Sequence, residues 1–392
     1  MTIFLGILLT ISILSFVVFI HEMGHFLTAR FTKMKVEEFG IGIPPRAKKL
    51  FSDKKGTAYT LNWLPIGGFV RIKGEDSSSI EAGENDSFSA KKWWARSLVL
   101  IAGVAMNFLL AWVIFSGLLW YGSSPLAVNF LLPSNYGSYF LPSIDESFDS
   151  GYLKHEGIEL EPIPGGPAEK YGIKKGDILL KVDNQEVKSI EDLMESIKKN
   201  TPMEFTLLKQ DDQSTSKIGV VPLDGRIQAY LRYANLKTSK EYVTPFSFGA
   251  SITKGFQETF LLSLITLDFL GKTLHDLISP EKPEDRELAK EMLAGPIGMG
   301  AGMVELVQVG FTMSTLLLMI AFLSVNLGVL NILPFPALDG GRLFSTTLVT
   351  CISFFTQKKQ TLQKFEQTFH ALGMLLLIAL SLLIAFHDIL KL

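Results

Sequence analysis

Residues 2–29 read TIFLGILLTISILSFVVFIHEMGHFLTA: an uncharged apolar run up to Ile20, then His21, Glu22 and His25. As a helix rising 1.5 Å per residue, an apolar run of about 18 residues or more crosses the ~30 Å hydrocarbon core of a bilayer. The stretch has no basic leader, and His21, Glu22 and His25 stand where a small-residue cleavage site would be, so it reads as a span and not a signal peptide. Working outward, three further runs of this kind lie at about 98–121, 311–333 and 369–388. A fifth segment, 246–278, is apolar in its middle but broken by Lys254, Glu258, Asp268, Lys272 and His275. Its mixed character predicts amphipathic helices lying at an interface.

The 392 residues carry 37 Lys and Arg against 39 Asp and Glu, a formal charge of −2, which excludes the basic footprint of a nucleic-acid binder. Charged residues make up 19% of the chain, against roughly 25% in soluble domains. The single cysteine, Cys351, rules out an internal disulfide, a multi-cysteine zinc site and a CxxC redox pair. Any metal must be held by histidine and carboxylate.

Sidedness follows from the Lys and Arg residues retained on the cytoplasmic face during insertion. Thirteen of them lie in 30–97, and Arg342, Lys358, Lys359 and Lys364 lie between spans three and four, whereas 122–140 and 291–310 have none. Both basic loops are expected in the cytoplasm, with the termini and the long middle segment outside. Trp93 and Trp94 beside Lys91 and Lys92, and Trp120 with Tyr121 at the other end, suit interfacial anchors of span two.

Within 57–73, the strand-forming runs Tyr59–Trp63 and Phe69–Ile72 are parted by Pro65, Gly67 and Gly68, which predicts a hairpin. Asp76–Asp86 reads as a solvated linker, and Glu281–Glu291 as a solvated helix face. The expected order is span one with HEMGH (1–30), a cytoplasmic-side β-loop and linker (31–97), span two (98–121) and a connector (122–154). An α/β domain follows (155–224), then an outer-side strand and amphipathic helices (225–310), span three (311–338), a cytoplasmic link (339–368) and span four (369–390).

HEMGH fits H-E-x-x-H. On a helix, residues i and i+4 share a face, so His21 and His25 can grip one Zn²⁺ while Glu22 takes a proton from a water on it. Three ionisable groups at the end of an apolar helix are expensive in hydrocarbon and mark a functional site. Arg30, the first permanent charge beyond them, is five residues past His25, which puts the pair roughly 7 to 14 Å below it. Catalytic zinc takes a third protein ligand. The second polar group, VNLGVLNILPFPALDGG at the end of span three, contains Asn326, Asn331, Pro334, Pro336 and Asp339. The prolines interrupt the helix and free backbone groups that need protein or a water-filled cavity around them. Asp339, on the Gly340-Gly341 turn at the same face as HEMGH, is the expected third ligand.

HEMGH in span one and NILPFPALDGG in a later span, with a PDZ-like domain between, resemble the bacterial site-2 proteases over nearly the whole chain. These are zinc proteases that cut transmembrane segments. The resemblance implies zinc held by His21, His25 and Asp339, with Glu22 as catalytic base. It implies that Asn326, Asn331, Pro334 and Pro336 help place the substrate, with Asn107 as a polar neighbour of the site. The hairpin, including Tyr59, Leu61, Gly67 and Gly68, resembles the family's membrane-reentrant β-loop. Val104 stands where relatives often carry proline. One PDZ-like domain is indicated by Ile163–Leu179, the turn Asp183-Asn184-Gln185 and a helix from about Ser189. Its groove suits an extended peptide, and the domain is expected to filter substrates.

The expected protein is thus a polytopic α-helical membrane protein with four transmembrane helices, a cytoplasmic-side β-hairpin and one extracytoplasmic α/β PDZ-like domain. It is expected in the bacterial plasma membrane, with single-span membrane proteins such as anti-sigma factors or signal-peptide remnants as substrates. A prior-acting protease and the bilayer are its other expected partners, and nucleic acid is not. Two rival readings are a catalytically silent PDZ-bearing scaffold, which has no need of Glu22, and a metal transporter. The nearly pure apolar first halves of spans one and three disfavour transport. Gly295–Gly298 is expected to shape an approach to span three, and His155, His275, His370 and His387 to lie at surfaces or interfaces.

The charge-based orientation predicts that a membrane-impermeant thiol reagent applied from outside labels a cysteine placed at Asn184 and misses one placed at Ser78. The opposite labelling would invert the orientation.

Overall fold

A computed structural model describes residues 2–75, 84–125, 137–142, 144–212, 214–223, 225–235, 237–238, 245–280, 312–353, 355–356 and 359–391, with isolated positions between 282 and 307. The chain forms two compact units, one of Met1–Tyr121 with Phe246–Leu392, the other of Gly122–Pro245. In chain order the elements are α1 (Thr2–Phe31), β1 (Val36–Ser52), β2 (Ala58–Ile72) and α2 (Trp93–Tyr121). Then come α3 (Ile144–Asp149), β3 (Leu153–Lys154), β4 (Gly157–Pro162), α4 (Pro167–Lys170), β5 (Asp177–Val182), β6 (Gln185–Glu186) and α5 (Ile190–Lys198). The second unit closes with β7 (Met203–Leu208), β8 (Thr215–Val220), β9 (Ala229–Ala234) and β10 (Lys237–Thr238). The first resumes with α6 (Phe248–Ile278), α7 (Met313–Ile332), α8 (Asp339–Ser353) and α9 (Lys359–Lys391).

Four helical segments are long and apolar enough to cross a bilayer: α1, α2, α7 and Thr368–Phe386 of α9. In α1 the buried residues Gly6, Thr10, Ile13, Val17, His21 and Gly24 recur every three or four positions, so they form one stripe. The outward residues Ile3, Phe4, Ile7, Leu8 and Phe16 are apolar and exposed, as a lipid-facing side requires. His21 and Gly24 extend the packing stripe, so the same face that holds the bundle together carries the polar motif.

The segment expected to form interfacial helices is instead one helix, α6, running along α2 and α7. Trp112 Nε1 donates to the Ile252 carbonyl at 2.9 Å, Trp120 meets Phe248 edge-on, and Thr266 Oγ1 donates to Asn326 Oδ1 at 2.7 Å. From Phe248 to Thr266 the helix advances about 27 Å, with contacts first to α2 and then to α7 along that length. Its charges lowered the average hydropathy, but Glu258 is buried, and the face toward α2 decides where the helix packs.

The expected hairpin is also rearranged. Its two runs both lie in β2, and β1 comes between them: Gly40 partners both Thr60 and Phe69, and Phe39 both Tyr59 and Val70. Glu38 fastens this arrangement, accepting from Arg46 at 3.0 and 2.6 Å and from Thr60 at 2.8 Å, with Arg71 at 3.2 Å. The tip returns to α1, where Ser15 Oγ donates to the Pro65 carbonyl and accepts from the Gly67 amide. One hydroxyl thereby satisfies two backbone groups six residues before His21.

In the second unit an antiparallel sheet has the order β8-β7-β5-β4-β9, with β6 on β5. Ile158, Leu160, Leu179, Phe205, Leu207 and Val220 form its core with Leu193 and Ile197 of α5. Asp183 and Asn184 both have positive φ, as a tight two-residue hairpin turn requires, and Ser189 caps α5 by accepting from the Asp192 amide. Buried Asp177 is held below the usual carboxylate range: burial pulls it upward, but the Lys174 amide, the Lys209 ammonium and the Gln210 amide outweigh that. The boundary expected at 224 falls inside the unit, because β9 pairs with β4 from Gly157↔Ala234 to Pro162↔Ala229. Gly295–Gly298, Ser78 and most of Glu281–Glu291 lie outside the described residues.

Candidate metal centre

Residues 21 and 25 are one helical turn apart on α1, and both imidazoles face α2. Their Nε2 atoms are 3.1 Å apart. Asp339, at the first position of α8, brings Oδ2 to 2.9 Å from His21 Nε2 and 3.2 Å from His25 Nε2. Ligand atoms held at about 2.0–2.1 Å around a tetrahedral Zn²⁺ stand roughly 3.3 Å from one another, so the three spacings fit one such ion. Among the described residues this is the group of His, Cys, Asp and Glu side chains placed to share a metal.

The surroundings set which ring nitrogen is available. His25 Nδ1 lies 2.8 Å from the Val99 carbonyl, which accepts its N–H and leaves the Nε2 lone pair facing the cluster. His21 Nδ1 lies 3.2 Å from Asn107 Nδ2, while the buried Asn107 Oδ1 has no partner. With the amide turned over, Oδ1 accepts an Nδ1–H, and His21 Nε2 is freed in the same way. Asn107 is itself fixed by its backbone, since its carbonyl accepts from Ser324 Oγ of α7 at 2.9 Å.

Close approach of α1 and α2 makes this possible. A Cβ on Gly24 would strike the Ala102 carbonyl, and one on Gly103 would strike His25 Nε2 and stand 2.7 Å from His21 Nε2. Neither glycine is itself a candidate ligand or catalytic group. Their signal is a small residue on each of two apolar helices, one of them bearing the metal-binding pattern.

Glu22 is half-buried beside the pair, near the Val70 backbone of β2. Gly68 also lies against it. Of the residues assigned to placing a substrate, Gly68 and Asn107 are thus brought to the centre, and Asn326 is engaged by Thr266 of α6. Tyr59 is not at the ligands; it stacks on Phe51 with ring centroids 4.5 Å apart and packs edgewise on Phe26. Leu61 pairs with Ile41, which pairs with Gly68 on its other side, so it lies two strand spacings, roughly 10 Å, away. Gly67 faces Val18, deeper along α1. Asn331, Pro334 and Pro336 lie in or just beyond the last turn of α7, leading into Asp339. Arg342 of α8 pairs with Glu75 just beyond β2, which fastens the strand that meets Glu22 to the helix that begins at Asp339.

The sequence matches the family model described as peptidase family M50 over residues 9–380. It belongs to peptidase family M50. A protein of Clostridium perfringens named as a zinc metalloprotease is 30% identical over 379 residues, covering 96% of each chain. One so named in Rickettsia conorii is 30% identical over 352 residues, 86% of each. Zinc metalloprotease RasP of Oceanobacillus iheyensis is 25% identical over 461 aligned positions, covering 95% of this chain and 96% of its own. With four membrane-crossing segments and this membership, the M50 chain is a membrane metalloprotease.

Gly103→Ala tests the helix contact. The added methyl displaces both imidazoles, so the purified variant is expected to retain zinc at least about tenfold more weakly than wild type, read by metal analysis after dialysis against a chelator. Equal retention would show that the α1–α2 approach is looser than described.

Proposed function

We propose that this M50 protease is a zinc endopeptidase that cleaves transmembrane segments of other membrane proteins, in the bacterial plasma membrane. The observation that carries the reading is the convergence of His21, His25 and Asp339 inside a bundle of apolar helices, with Glu22 beside them and the β2 backbone against Glu22. When bound there, zinc supplies a Lewis acid and lowers the pKa of a water toward 7. Glu22 takes the water proton and returns it to the departing amide nitrogen. His25, through Val99, and His21, through Asn107, keep their Nε2 lone pairs free for the metal.

A peptide bond in an intact helix is shielded and hydrogen-bonded, so the segment to be cut must be locally extended. The β2 backbone around Gly68 offers replacement partners, and the side-chain amides of Asn326 and Asn331 on α7 offer others. Thr266 occupies one lone pair of Asn326 Oδ1 and leaves its Nδ2 amino group free to donate.

The Gly122–Pro245 unit, read as a PDZ-like domain outside the membrane, acts on access and not on chemistry. Its attachment supports a direct test, because the Phe246 amide donates to the Leu119 carbonyl at 3.0 Å, which brings the two ends together in the membrane unit. Joining Tyr121 to Phe246 through a short linker is expected to preserve cleavage of a substrate with a short outer tail and to increase cleavage of one with a large outer domain. Loss of the short-tailed cleavage in a stably inserted protein would replace the filter with a required docking role.

For the chemistry, Glu22→Gln is expected to lower cleavage of a model transmembrane substrate by at least about 100-fold with zinc still bound, and Asp339→Asn to lose zinc. Substantial turnover by the glutamine variant would remove Glu22 as the base, whereas no turnover by the wild type would favour the scaffold reading.

A further inference from the structure

Ala337 stands two residues before Asp339, and its φ of +73° is left-handed, a region unfavourable for a residue that carries a Cβ. Something must hold the turn there. The Ala337 amide donates to His370 Nδ1 on α9 at 3.0 Å. With Nδ1 accepting, the neutral ring carries its proton on Nε2, which lies 2.9 Å from Ser345 Oγ. That hydroxyl donates to Glu366 Oε1 at 2.7 Å, where Thr346 Oγ1 also donates at 3.1 Å. Each proton in the chain from Ala337 through His370 and Ser345 to Glu366 is used once, with the Arg342 carbonyl, 3.1 Å from Ser345 Oγ, as a second acceptor for that hydroxyl. Three residues beyond His370, a Cβ on Gly373 would come within 2.8 Å of the Pro336 backbone. Span four therefore touches the turn twice, and His370 is part of a half-buried relay at the contact of α8 with α9, in keeping with the interface role expected of it.

We infer that His370 is a positioning residue for Asp339: by accepting the Ala337 N–H it holds the left-handed turn that delivers the carboxylate to His21 and His25. The inference rests on Asp339 being a metal ligand, as proposed above. Without the acceptor, a half-buried amide loses its partner, and the strained residue is free to relax. Asp339 would then move away from the two imidazoles, whose own partners on α2 stay in place.

The two ring nitrogens can be tested separately. In His370→Asn the side-chain oxygen falls near the Nδ1 position and keeps the contact with Ala337. In His370→Gln the amide reaches the Nε2 position and keeps the contact with Ser345 only. Full-length proteins loaded with zinc in detergent are challenged with a chelator, and zinc loss is followed over time. The leucine and glutamine variants are expected to lose zinc about tenfold faster than wild type, the asparagine variant to stay within about twofold, and Ala337→Gly to recover part of the loss in the leucine background. Cleavage of a model transmembrane peptide should fall in kcat with KM little changed. Zinc loss from His370→Leu at the wild-type rate, or equal impairment of the asparagine and glutamine variants, would overturn the inference. The asparagine–glutamine comparison decides the matter if the leucine variant does not fold. Asp339→Asn, run in parallel, separates the two readings: wild-type zinc retention by that variant overturns both, whereas loss by it but not by His370→Leu overturns only this one.

Discussion

Two imidazoles and a carboxylate inside an apolar bundle are tolerable only where every polar atom meets another, and the close crossing of α1 and α2 supplies that condition. At Gly24 and Gly103 neither helix leaves room for a side chain, so the rings of His21 and His25 lie directly on the α2 backbone. From there His25 reaches the Val99 carbonyl and His21 reaches Asn107. Helices with larger residues at the crossing would stand about 8–10 Å apart, and the rings would need other partners or water. The apolar stripe from Gly6 to Val17 holds α1 in register for this contact. Packing of the first span and orientation of its ligands are therefore one problem.

The same accounting governs the backbone. Where β2 turns at Pro65–Gly67, Ser15 serves as donor and acceptor at once. Beyond α7, Pro334 and Pro336 end the helix, and His370 takes up the amide of Ala337. Irregular chain at membrane depth is viable when protein groups replace the missing helical bonds. Under the proposed function, a substrate unwound beside Glu22 would face the same requirement, and the strand at Gly68–Val70 would be a natural place to meet it.

The amino-acid sequence made the four spans and the meeting of HEMGH with Asp339 legible, because both depend on short-range regularities: an uncharged run of sufficient length, a one-turn spacing, and a polar motif at a matching end. Four things escaped it for identifiable reasons. The segment 246–278 was averaged over its charges, although burial on α2 and α7 depends on one face. The runs Tyr59–Trp63 and Phe69–Ile72 looked like partners because they are neighbours in sequence, yet each pairs with the more distant Glu38–Ile41. His370 belongs to no local pattern, and only the folding of α9 against the Ala337 turn gives it a partner. The domain edge at 224 failed similarly, because β9 follows a loop that reads as an end.

The separation of the ligands along the chain has a consequence for how the protein is made. His21 and Asp339 are 318 residues apart, and at about 5–20 residues per second roughly 15 to 60 s pass between their syntheses. Throughout that interval a ribosome-bound chain has its first span in the bilayer with two histidines and no carboxylate to complete the cluster. His370 emerges later still. An unfinished copy thus lacks part of the metal-binding cluster until Asp339 has been made.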